Sequence, residues 1–233
     1  MKWIFSFLIG CACLYAEDER KGVETAHPLF VSLGCDCMPS IHLRGQGLRQ
    51  AAFPFDWNFT FLLDKFLLIL EEDFAAFLSP RHLIEKQVGG ILNTRYMIDF
   101  KHDGIFLDAT TGGISTDVSE KYERRIERFR NLRNYRGKVV FIRSAHDFAR
   151  FPFYEYGDKN IGKINATEAV ALRDALVRYF PHLDFALVIV NYDTASFPAI
   201  TGIDRVIEFR ISSYHKKASY AYILSQMIKR FPE

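Results

Sequence analysis

The sequence predicts a single α/β domain, mainly a parallel sheet with helices on both faces in three layers. Three observations carry this expectation. "KVVFIRS" (138–144), "DFALVIVNYD" (184–193) and "RVIEFRIS" (205–212) are apolar almost without interruption, as strands buried on both faces are. Segments with helical periodicity and capping residues alternate with them, which implies crossover connections and a layered fold. The 233 residues, 49% apolar and 25% charged, suit one well-buried domain of ordinary composition.

The elements follow in order. "MK" and then "WIFSFLIGCACLYA" (3–16) form a short charged start and an apolar run of signal-peptide length, too short to span a bilayer comfortably. Residues 1–16 are therefore expected to be a signal, and the protein to be exported to a bacterial periplasm, cell envelope or medium. Two processing routes fit: cleavage after Ala16, or a lipobox-like "LIGC" (8–11) with Cys11 as the lipid-bearing residue. Lipidated Cys11 would be the one membrane attachment. Residues 17–28 are charged, end in His27-Pro28 and read as a linker, which leaves 29–233 for the domain.

"LFVSLG" (29–34) reads as a strand stopped by glycine, and Pro39 to Leu48 as a short helix with proline in its first turn. "FPFDWNF" (53–59) is an aromatic loop. "FLLDKFLLILEEDFAAFL" (61–78) reads as a buried helix capped by Asn58 or Thr60. Residues 81–116 are mixed, with "YMIDF" a candidate strand. Asp117 and Glu120 match a capping box opening a helix over 119–137, and Asn165 and Glu168 match another for a helix ending at Phe180. A last helix spans 217–230. With 22 phenylalanines, the core should be rich in aromatic rings.

Ligands of open parallel sheets bind beyond the carboxyl ends of the strands. Cys35 and Cys37 follow the first strand, His146 and Asp147 the second, Asn191 and Asp193 end the third, and Ser213 and His215 follow the last. A net charge of +2 gives no reason to expect nucleic acid as a partner. Neither a glycine-rich phosphate loop nor a Gly-x-Ser-x-Gly elbow is present. Zinc would need ligands beyond the two cysteines, and His42 is the nearby addition, so neither metal nor cofactor is expected. Cys35 and Cys37, two positions apart, would make a strained and easily reduced bridge. Cys37 directly precedes the predicted helix, whose N-terminal dipole favours a thiolate. Backbone amides of that helix are candidate oxyanion donors.

"SLGCDCMPSIHLRGQGLRQAAFPFDW" (32–57) resembles the opening signature of a bacterial family of papain-like cysteine peptidases. The pattern is Ser-Leu-Gly, two residues, cysteine, then Leu-Arg, Gly-Leu-Arg and Pro-Phe-Asp-Trp. "KYERRIERF" (121–129) and "VVFIR" (139–143) also look like family segments. The resemblance implies Cys37 as nucleophile and points to His102 as its base, with His146 the alternative of matching local sequence and His215 a further one. Asp103, Asn191 or Asp193 would orient the histidine. Arg44, Arg49, Asp56 and Trp57 are candidate substrate-binding residues, Asp56 needing a cation such as Arg44 or Arg49 if buried.

The expected function is a cysteine hydrolase or acyltransferase acting on a peptide or other acyl group. Two alternatives stand beside it. One is a non-catalytic envelope protein that recognises glycan or protein through the arginine-rich helix (Arg124, Arg125, Arg128) and the aromatic loop. The other is a thiol-redox protein using Cys35 and Cys37.

Overall fold

Alternation of apolar strands and helices resolves into two sheets of different kind. The structure is a computed structural model describing residues 28–86, 90–100, 102–103, 113–145, 163–192, 198–211 and 217–230. In chain order these hold β1 (Leu29–Ser32), α1 (Met38–Gly45), α2 (Leu63–Glu71), β2 (Leu83–Glu85), β3 (Ile91–Asn93) and β4 (Ile98–Phe100). Then come α3 (Thr116–Arg130), β5 (Val139–Ser144), α4 (Ala166–Tyr179), β6 (Phe185–Tyr192), β7 (Val206–Ile211) and α5 (Lys217–Arg230).

The main sheet has the order β1-β5-β6-β7, parallel throughout. Register runs Val31–Phe141–Leu187–Val206 across it. Successive side chains of a strand point to opposite faces. Val31, Val139, Phe141, Leu187 and Ile189 accordingly pack against α2, α3 and α4. Phe30, Val140, Ile142, Val188 and Val190 pack against α1 and α5. Both faces are covered, which is why these strands read as unbroken apolar runs.

A second, antiparallel sheet of order β2-β3-β4 is tied to the aromatic loop by a bridge between Phe59 and Asp99. Of its strands the sequence indicates only the last, because three-residue strands are too short to display alternation.

Helix ends differ from expectation where tertiary contacts intervene. The helix predicted over 61–78 stops at Glu71, because Asp73 and Phe74 adopt φ of 45° and 64°. Arg130 holds that turn, its Nη2 donating to the Asp73 carbonyl (2.7 Å) and its Nε to the Asp73 carboxylate. The N-cap of α2 is Leu62, since Asn58 and Thr60 bond elsewhere. α3 starts earlier than predicted, with Ser115 as N-cap; Asp117 lies in the first turn rather than capping it. It also ends earlier, at Arg130, and a 3-10 turn continues over Asn131–Asn134. The Asn165–Glu168 capping box of α4 forms as predicted, with reciprocal bonds of 2.9 and 2.8 Å.

Candidate active site

The carboxyl edge of β1 and β5 carries the two cysteines. Beyond Ser32 the chain turns through Gly34 and Cys35, both with positive φ (75° and 72°). Glycine is required at the first position: a Cβ there would stand 3.0 Å from Thr60 Oγ1 and 3.2 Å from the Phe55 carbonyl. Cys35 adopts the left-handed conformation despite its side chain, at a cost of about 1–2 kcal/mol. Thr60 compensates from both sides. Its hydroxyl accepts the Cys35 N–H (3.2 Å), and its own N–H donates to the Cys35 carbonyl (3.0 Å).

Arg143, on β5, lies beneath this turn with 1% of its surface exposed. Its Nη1 donates to the Leu33 carbonyl and to Thr60 Oγ1, each at 2.7 Å, and its Nη2 to the Thr60 carbonyl. The guanidinium also lies 4.8 Å from the centre of the Phe66 ring. Burial lowers its pKa from the ordinary arginine value. A charge within an apolar strand must be satisfied by such oxygens. The arginine in "VVFIRS" was the sequence signal for this scaffold, and sequence reasoning missed it.

The two thiols occupy unlike environments. Cys35 is fully buried against Phe59 and Phe61. Burial pushes its pKa far above the ordinary thiol value, and the Arg143 charge only partly opposes this. Cys37 is half-buried and forms the N-cap of α1, its carbonyl accepting the Ile41 N–H (3.0 Å). No disulfide joins them.

Asp36, between them, is 1% exposed and accepts the Met38 N–H (2.9 Å) and the Ser144 hydroxyl (3.3 Å). The Met38 amide is thus already donated and Pro39 has none, so among the α1 amides that are candidate oxyanion donors the first two residues after Cys37 supply none. Next to Asp36, the buried Tyr220 of α5 stacks on His42 of α1, ring centres 4.3 Å apart and planes 5° apart. Burial raises the Tyr220 phenol well above its ordinary pKa. Neither Tyr220 nor Ser144 carries a recognisable sequence signal.

The remaining predicted residues divide into three groups. Arg44, Arg49, Asp56 and Trp57 come together. Asp56 is 2% exposed and accepts Arg49 Nη2 (2.7 Å), Arg49 Nε (3.1 Å) and the Phe53 N–H (3.1 Å). The Arg44 and Arg49 guanidiniums lie 5.6 and 5.8 Å from the Trp57 ring centre. His102 is exposed, with its ring centre 6.2 Å from Trp57 and 6.1 Å from Phe59.

The second group is held elsewhere. Asp103 binds Lys121 and the Tyr122 hydroxyl, which also reaches Asn58 Oδ1 (2.8 Å). Asn191 is fully buried. Its amide donates to the Ile164 carbonyl (2.7 Å) and Glu208 (2.8 Å), and its oxygen accepts the Ile164 N–H (3.1 Å). It thereby fastens the approach to α4 onto β6 and β7. The third group, His146, Asp193 and His215, lies outside the described residues, as do the predicted signal and nearly all of the linker. Among the described residues, no three His, Cys, Asp or Glu side chains are grouped to hold a metal ion.

An uncharacterized protein of Acanthamoeba polyphaga mimivirus, R408, is 24% identical over 201 residues, covering 78% of this chain and 86% of the viral protein. No solved structure matches the chain significantly. The sequence profile of the family described as "Putative papain-like cysteine peptidase" matches residues 28–195, from the residue before β1 to just beyond β6, and the chain belongs to that family.

Proposed function

We propose that the protein is a cysteine-nucleophile hydrolase or acyltransferase acting on a peptide or other acyl group, with Cys37 as its nucleophile. The observation that carries this reading is the division of labour between two neighbouring cysteines. One is sealed in the core above Arg143, and the other is presented half-open at a helix N-terminus on the ligand-binding edge of a parallel sheet. The Cys37 thiolate attacks the carbonyl carbon and forms a thioester, and the leaving group departs with a proton from a histidine. Water or an acceptor then releases the acyl group. His102 or His146 serves as that histidine. The apolar run 3–16 supports export, and the mass of the mature N-terminus would distinguish a lipidated Cys11 from a free Glu17.

Iodoacetamide labelling of the native protein across pH, followed by peptide mass mapping, tests the reading. Cys37 should be alkylated while Cys35 stays protected. Its reactivity midpoint should fall below the ordinary thiol value of about 8.5 and rise toward it in either His102→Ala or His146→Ala. An ordinary profile, unchanged in both variants, would overturn the assignment.

A second reading has one observation in its favour. A groove of about 930 Å³ beside α3 is lined by Arg124, Arg128 and Arg130 and by apolar Phe74, Phe77 and Ile126. Binding of a glycan or protein that survives Cys37→Ala and is lost in Arg128→Ala would favour a recognition module.

A further inference from the structure

The solvent face of α1 carries more than its N-terminal thiol. Pro39, Ser40, His42 and Leu43 are buried, whereas Cys37 is half-buried and Ile41 and Arg44 are exposed. Positions 37, 41 and 44 recur at i, i+4 and i+7, one stripe of the helix. At 1.5 Å per residue, Arg44 stands roughly 10 Å from Cys37 along that stripe. Ile41, an exposed large apolar residue at 39%, lies between them.

Charge on this surface is unevenly committed. Arg49 is neutralised by the buried carboxylate of Asp56. Among the described residues Arg44 has no carboxylate partner, and its guanidinium rests over the Trp57 ring. A cation held on an indole face keeps its hydrogen-bond donors for a ligand while the ring fixes its position. His102 lies 6.2 Å from the same ring.

We propose that Arg44, seated on Trp57, selects the substrate by receiving a carboxylate two helical turns from the carbonyl that Cys37 attacks. This rests on Cys37 being the nucleophile. The substrate is then an acidic peptide, or an acyl group bearing a carboxylate, with an apolar spacer crossing Ile41.

Two isosteric probes separate the charge from everything else: iodoacetyl-Gly-Gly-Glu-amide and iodoacetyl-Gly-Gly-Gln-amide. About three extended residues span the required distance. Native full-length protein should be alkylated at Cys37 on the order of tenfold faster by the Glu probe, as expected for a charge-assisted contact. The preference should shrink at high salt. Arg44→Gln should bring the two rates within about twofold of each other, and Arg44→Lys should restore part of the preference. Equal rates in the native protein, or a preference that survives Arg44→Gln, would overturn the proposal.

A binding readout keeps the two readings distinct. In Cys37→Ala, acetyl-Gly-Gly-Glu-amide should change Trp57 emission saturably, and the Gln peptide should not. Saturable binding combined with an inert Cys37 would support the anion site and remove the nucleophile reading. Reactive Cys37 with neither preference nor binding would do the reverse.

Discussion

Arg143 shows what a single buried charge does for this loop. Its Nη1 and Nη2 donate to neutral oxygens, the carbonyls of Leu33 and Thr60 and the Thr60 hydroxyl, so the cation braces the turn on which both cysteines sit. Replacing it with alanine leaves those acceptors buried and opens a cavity beneath Cys35. The expected loss is about 3 kcal/mol or more in urea unfolding. Cys35, protected in the native protein, should then become reactive toward iodoacetamide in native buffer. Thr60 and the left-handed Gly34–Cys35 pair belong to the same brace.

At the scale of elements, caps and ion pairs decide where helices begin and what they are fastened to. Asn165→Ala removes a capping box that is fully formed at the start of α4, and thermal or urea unfolding should show a loss of about 1 kcal/mol. The end of α2 is fastened differently. Glu72 accepts a bidentate pair from Arg95 and the Tyr96 hydroxyl (2.7 Å), and Tyr96 in turn accepts the Ala76 N–H (3.1 Å). The Arg95 contact, followed by that of Tyr96, draws the Glu72 carboxyl down to about 2. A lowered folded-state pKa means that the unfolded chain binds the proton more readily. The contribution is thus complete above the ordinary glutamate value of about 4.3 and is lost as pH falls from there toward 2. Stability measured between pH 5 and 2 should decline less steeply in Glu72→Gln than in the native protein.

Across the whole molecule, the sheet separates two cores of unequal size, and aromatic rings bind the larger one together. Phe129 of α3 lies 5.6 Å from Phe55, 5.6 Å from Phe74, 6.3 Å from Phe141 and 5.2 Å from Phe180, centre to centre. It therefore links the aromatic loop, the turn after α2, the sheet and the end of α4. Phe129→Ala should cost about 3–5 kcal/mol in equilibrium unfolding, near the top of the range for a single core truncation. The smaller core, under α1 and α5, positions the candidate site. Leu43, Tyr220, Ile223 and Leu224 press α1 against the sheet, so the exposed stripe from Cys37 to Arg44 faces outward by default.

The sequence by itself determined the parallel sheet, its strands and the order of its helices. Those features are written in local periodicity, and a strand covered on both faces has to be apolar at nearly every position. It also distinguished Cys37 from Cys35, because a strand end and a proline-led helix start are both local signals. Tertiary structure alone decided the rest. The three short strands carry too few residues for a pattern, and α2 ends early because Asp73 is claimed by Arg130 from 57 positions away. Asn191 stands near the end of its strand as expected, and Asp103 was a candidate to orient the histidine, yet their hydrogen bonds go to Lys121, Tyr122, Ile164 and Glu208. A polar side chain's residue type fixes what it can bond. Which partner it meets depends on how distant segments pack, and so it is settled only when the chain has folded.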